Sequence, residues 1–423
     1  MRADAIARLR SDPIDWRYKG FPPAEGVTPA NVASRGWNLL RGDLFLPAVV
    51  IKESALANNL ALMRRWCDRH GVLLAPHGKT TMSPELFARQ LDAGCWGITA
   101  ATPSQMRVYR HFGVQRIILA NELVEPASVR WLAAELADDP DFDAYCLVDS
   151  IAAVERMETA LAAQSVARLI PVLVELGVAG GRTGTRTVEG AIAVADAVLR
   201  SPVLRFAGVE CYEGVLDQPA RIEALLNELA GLVRRLGESA SFDHSGEMII
   251  SAGGSEAFDK VVDYLAVDFG GLRTKLVLRS GCYLTHDDGV YEERSPLGAH
   301  RAGHDHDHLV PALEAWGVVL SRPEPELALV CMGKRDVSFD DEFPIPLKVR
   351  SLSGAIRAVK GTMTVSNLND QHAFIRLSSD DPLEVGDLLC CGISHPCTTF
   401  DKWRLIPVVD DDYAVIDAVH TFF

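Results

Sequence analysis

Three short strings carry residue types that could do chemistry. The first is Leu74-Ala75-Pro76-His77-Gly78-Lys79-Thr80, at the end of an apolar run that reads as a strand. A lysine there is costly to bury unless it is used or paired. Desolvation lowers an amine's pKa, which suits Schiff-base chemistry. The lysine can equally leave the strand and reach solvent, and this segment alone leaves the two readings even. The second string, Ser251-Ala252-Gly253-Gly254-Ser255, closes another apolar run. Glycines there let backbone N–H groups approach a phosphate, although a simple turn reads the same way. The third, Gly392 to Asp401, holds His395 and Cys397. On an extended segment alternate residues share a face, so imidazole and thiolate would sit together and suit zinc. Two ligands leave positions open for water or a substrate atom. A buried cysteine beside a surface histidine is the plainer reading of two residues taken alone.

Two other strings are set aside. His300, His304, His306 and His308, with Asp305 and Asp307, read as a biased, solvated loop rather than a metal site. The glycine-rich run Gly177 to Gly184 lacks the Gly-Lys-[Ser/Thr] ending of a triphosphate loop.

The elements that must position these residues follow from periodicity. Candidate strands fall at 48–52, 73–79, 97–101, 116–121, 144–149, 169–176, 206–212 and 248–252, with amphipathic helical stretches between them. Apolar strands alternating with helices imply a parallel sheet covered on both faces. Eight units over residues 46–290 match an α/β fold, a (β/α)8 TIM-type barrel. A doubly wound sheet is the alternative, but its first turn is normally rich in glycine and Ile51 to Leu56 has none. After Gly289 the text changes to short alternating segments punctuated by Pro, Gly and Asp, which predicts a mainly antiparallel β domain over 291–423. Residues 1–45 read as an irregular arm that packs with that domain.

Composition narrows the partners. Lys and Arg number 42 against 57 Asp and Glu, a net charge of −15 that disfavours nucleic acid. There is no apolar run of about 18 residues, so no membrane span is expected, and the N-terminus does not read as a signal peptide. Nine scattered cysteines, an odd number, point to reduced thiols and a cytoplasmic setting.

Taken in order, PHGKT (76–80), LGVAGGRTG (176–184), ECYEG (210–214), SAGGS (251–255), LRSGCY (278–283), DQH (370–372) and SHPCTTFD (394–401) resemble the fold-type III pyridoxal-phosphate enzymes. The match is to the D-serine dehydratase and D-threonine aldolase group, relatives of alanine racemase, and it covers roughly residues 46–410. The resemblance implies a barrel carrying pyridoxal 5'-phosphate, a C-terminal β domain and a homodimer. It implies that Lys79 holds the cofactor and that His77 lines it. Gly253, Gly254 and Ser255 match the phosphate turn. Arg182 and Tyr212 approach the cofactor ring, and Tyr283 lies in the family's Gly-x-Tyr segment. His395 and Cys397 match the metal pair. Cysteine at the second position is similar to the zinc-dependent dehydratases, whereas the aldolases carry aspartate and favour harder ions. Thiolate softness selects Zn2+ independently.

Two departures bear on substrate choice. Thr80-Thr81-Met82-Ser83 stands where many members have a second basic stretch, and Ser394 where many have Asn. The implied activity is a lyase converting D-serine or a related 3-hydroxy-D-amino acid to a 2-oxo acid and ammonia. An aldolase or dehydratase acting on D-threonine or 3-hydroxy-D-aspartate is the alternative. An amino-acid racemase is a further one, and it would need no metal. A non-catalytic pyridoxal-phosphate carrier would lack the β domain. His372 either reaches the site, across a dimer interface, or caps a hairpin.

Overall fold

The computed structural model describes residues 1–164, 166–239, 247–303 and 307–423. It divides into two compact units. One comprises Arg64–Lys79 and Leu91–Gly281; the other comprises Arg2–Met63, Thr80–Gln90 and Cys282–Phe423.

The first unit is built on an eight-stranded parallel sheet. Its strands run in chain order from Ile98–Ala100 through Arg116–Glu122, Asp143–Val148, Ile170–Glu175, Leu204–Glu210, Met248–Ala252 and Thr274–Leu278, which then pairs with Leu73–Leu74. A parallel bridge between His77 and Thr99 joins the two ends of the sheet, so it closes as a barrel. Ile170–Glu175 is buried at every position, as a strand covered on both faces must be. The connecting helices start where the sequence marks them. Thr102, Ser150 and Thr187 each accept a backbone N–H at a helix N-terminus, and Pro103 opens the first of these helices. Ile118, Leu147, Leu173, Ala207, Ile249 and Val277 meet in one interior cluster.

Seven of the eight expected strands lie in this barrel; the eighth barrel strand is different. Ala48–Lys52 belongs to the second unit, where it pairs antiparallel with Leu313–Glu324 and parallel with Leu405–Val409. Its place in the barrel is taken by Thr274–Leu278, a run that opens with Thr and Lys and whose apolar part is only three residues long. A run buried on both faces reads alike in either sheet, which is why pattern alone assigned the wrong one. The expected boundaries at 46 and 290 therefore differ from the units found, whose main division falls between Gly281 and Cys282.

The second unit carries a ten-stranded, mainly antiparallel sheet. Residues 2–45 belong to this unit and are less irregular than expected, since Ala3–Leu9 is a helix. Their Ile14, Phe21, Val27, Val32 and Leu39 are buried against Ala48, Val50, Trp316, Cys390 and Leu405, so the opening segment is part of a core. His372 sits on a hairpin between Thr364–Leu368 and Ala373–Arg376, its carbonyl accepting the Asn369 N–H at 2.9 Å. No helix among the described residues is long and apolar enough to cross a membrane. His304, Asp305 and His306 of the histidine-rich loop lie outside the described residues.

Candidate active site

In the first unit, Leu73–Leu74 is a short strand and the chain leaves it before Lys79, which stands in a single tight turn, Gly78–Thr80, and is exposed. Gly78 is required by close approach, because a Cβ there would lie 2.6 Å from the Tyr109 hydroxyl and 2.7 Å from Ile98. His77, two residues before Lys79, has a buried Nδ1 with no hydrogen-bond partner among the described residues. Burial, and then the positive charges of Lys79, Arg279 and Arg182, hold its pKa well below the usual imidazole value. The ring is therefore neutral and can accept a hydrogen bond at one nitrogen.

Arg182 lies over the Tyr212 ring, 4.5 Å from its centroid, so two residues thirty apart in sequence form one wall. Gly253 has a φ of 91°, and a Cβ on it would lie 2.7 Å from Leu278. The N–H groups of Gly253 and Gly254 both donate to the buried carboxylate of Glu213, the first at 3.1 Å. The turn does hold an anion, but the anion is the protein's own. A phosphate at the same amides would have to replace Glu213, leaving Ser255 as a further donor.

The strand ends carry carboxylates that sequence reading missed. Glu122, Glu175 and Glu210 end three of the barrel strands, where side chains face a barrel's catalytic mouth. Burial, and then the neighbouring Glu175 carboxyl, push Glu122 up to about 9. Burial likewise raises Glu210, against the opposing charge of Arg279, with which it is in contact. Arg279 also donates to Ser251 Oγ at 2.8 Å and to the Cys211 carbonyl at 3.1 Å. An acidic residue ending each of three apolar runs was the available signal.

In the second unit, Tyr283 is buried and accepts from Gln90 Nε2 at 3.2 Å. His395 and Cys397 are not on an extended segment as expected. The strand Leu388–Gly392 ends first, His395 takes a left-handed φ of 59°, and Cys397 begins a one-turn helix. The left-handed residue is held by its N–H, which donates to the Asp287 carboxylate at 2.9 Å. Proline cannot donate and fixes its own φ, so the chain turns at Pro396 instead of continuing the strand.

His395 Nδ1 donates to Asp340 at 2.8 Å. Burial raises the Asp340 carboxyl, but the Thr398 hydroxyl, donating at 2.6 Å, and the His395 ring hold it below the usual carboxylate range. This pairing commits Nδ1 to the carboxylate and leaves Nε2 as the nitrogen for another partner, the arrangement by which a carboxylate orients a metal-binding imidazole. Cys397 Sγ lies 3.7 Å from Cys282 Sγ and 3.4 Å from the hydroxyl of Thr80, the residue that follows Lys79 in the chain. Among the described residues no three His, Cys, Asp or Glu side chains are already gathered as a coordination set.

Comparison with known proteins agrees with this architecture. The family model described as alanine racemase, N-terminal domain, matches residues 51–263, and the putative serine dehydratase domain matches residues 312–409. A D-threonine aldolase from an Arthrobacter species is 28% identical over 400 residues, covering 91% of this chain and 94% of the relative. Among solved structures, D-threonine aldolase from Filomicrobium marinum superposes with a TM-score of 0.73 at 22% identity, covering 91% of this chain and 96% of that one. D-threo-3-hydroxyaspartate dehydratase from Delftia sp. HT23, a variant of which has been solved in a metal-free form, gives 0.68 at 21%, covering 91% and 99%. At these identities the solved structures speak for the fold alone.

Proposed function

The chain belongs to the alanine racemase N-terminal-domain family, the fold-type III pyridoxal-phosphate enzymes, and from that premise we propose that it is a pyridoxal-phosphate- and zinc-dependent dehydratase of D-serine or a related 3-hydroxy-D-amino acid, releasing a 2-oxo acid and ammonia. One observation carries this reading. The position paired with His395 is a sulfur, Cys397, and the imidazole is oriented by Asp340 for ligation through its other nitrogen. Soft donors select zinc over magnesium or manganese.

The residues present fit both groups. An exposed amine at Lys79, a neutral His77 with an orphaned buried nitrogen and the Arg182–Tyr212 wall suit a planar aldehyde, and the Gly253 and Gly254 amides would take its phosphate once Glu213 yields them. When bound, the cofactor supplies an electron sink for the α-carbon and zinc supplies a Lewis acid for the departing β-hydroxyl. Lys79 would hold the cofactor through its carbonyl carbon and, with its amine free, would accept the substrate's α-proton at Nζ. His77 Nδ1 or Nε2 accepts a hydrogen bond without adding positive charge beside Lys79. Arg279, fixed by three partners, keeps the barrel end rigid beneath them. His395 and Cys397 would hold the ion, with the Thr80 hydroxyl beside the Cys397 sulfur.

Lys79→Ala should lose the cofactor's absorption band and the activity together; a variant that keeps both would refute the assignment. The 28% identity to a D-threonine aldolase supports a second reading, cleavage to glycine and an aldehyde. Assaying 2-oxo acid and ammonia against glycine and aldehyde, on D-serine, D-threonine and 3-hydroxy-D-aspartate, separates the two.

A further inference from the structure

Cys282 is the middle residue of Gly281-Cys282-Tyr283, and none of the roles above uses it. It is buried, and its sulfur lies 3.7 Å from that of Cys397. A disulfide requires about 2.05 Å, so the two remain as thiols. Two thiolates on one tetrahedral zinc, each about 2.3 Å from the ion, lie about 3.8 Å apart by the tetrahedral angle. The observed separation matches that spacing without any movement of either sulfur. Thr80 Oγ1 lies 3.4 Å from Cys397 Sγ, whose thiol donates to it, and 3.9 Å from Cys282 Sγ, so one hydroxyl faces both sulfurs.

We propose that Cys282 is a second sulfur ligand, so that the ion is held by Cys282, Cys397 and His395; the two sulfurs already stand at ligand spacing, whereas the three side chains are not yet gathered, so His395 joins the pair only when the ion binds. This rests on the zinc reading above and deepens it. Catalytic zinc commonly keeps three protein ligands and one open position, and two cysteines with one histidine is such a set. His395 and Cys397 alone would leave two positions to solvent. With Cys282 a single position remains, which a substrate hydroxyl can take. The second sulfur also makes the site softer, favouring zinc or cadmium further over magnesium and manganese.

The test uses reduced full-length protein loaded with Co2+ in place of zinc, because sulfur-to-cobalt charge-transfer absorption grows with the number of bound thiolates. Wild type, Cys282→Ser, Cys282→Ala and Cys397→Ser are compared per bound ion, with a competition measurement of zinc affinity. Both Cys282 variants should keep about half of the charge-transfer intensity. They should also bind zinc at least about 10-fold more weakly, since losing even an outer-shell partner costs that much. Full intensity and unchanged affinity in both Cys282 variants, with loss only in Cys397→Ser, would overturn the proposal while leaving the zinc reading intact. Failure of the wild type to bind Co2+ or zinc would refute the zinc reading itself.

Discussion

Arg279→Met tests the buried end of the barrel. The guanidinium is 4% exposed and touches a Glu210 carboxylate that is 1% exposed. Its other bonds go to Ser251 Oγ and the Cys211 carbonyl. Burial raises Glu210 to about 8 from a usual 4.5, and Arg279 opposes that rise. Removing Arg279 therefore pushes the carboxyl higher still. A carboxyl whose folded pKa lies above its unfolded value keeps a proton that the unfolded chain releases, so stability falls as pH rises from about 4.5 through the folded pKa. Below pH 8 wild type and variant both hold that proton. The cost is then the two orphaned acceptors, about 1 kcal/mol each, or about 2 kcal/mol in all. Above pH 8 only the variant continues to lose stability, by about 1.4 kcal/mol per unit. At pH 9 the cost should approach about 3.5 kcal/mol, within the range for breaking a buried ion pair. Urea denaturation at pH 7, 8 and 9 measures it, and Glu210→Gln in the same background should remove the pH-dependent part. A cost that stays constant from pH 7 to 9, or one that the glutamine leaves untouched, would refute the reasoning.

Gly253→Ala places a side chain at a φ of 91° against Leu278; it should lower stability by about 1–2 kcal/mol and weaken cofactor retention, read by thermal denaturation and absorbance. An unchanged melting temperature would show that the turn relaxes freely. Asp340→Asn should weaken zinc binding about 10- to 100-fold by releasing the His395 ring, while the metal-free protein melts as before because Asp340 is exposed; unchanged zinc affinity would mean that the imidazole needs no orienting partner. Cys397→Asp should move metal preference toward magnesium and manganese, a shift that competition binding would show or exclude.

The sequence by itself determined what is local or ordered along the chain. It placed seven barrel strands, the change of grammar near the end of the barrel, and the lysine, glycine and His-x-Cys strings, because those depend on short-range periodicity and residue type. The tertiary structure alone decided which sheet received Ala48–Lys52, since a strand buried on both faces has no pattern that names its neighbours. It also decided that Glu213 holds the glycine amides, that Asp340 orients His395, and that Cys282 stands beside Cys397. Those pairs lie 40, 55 and 115 residues apart. Such distances carry no periodic signal; only the closing of the backbone into sheets and turns brings them within hydrogen-bonding or ligand range.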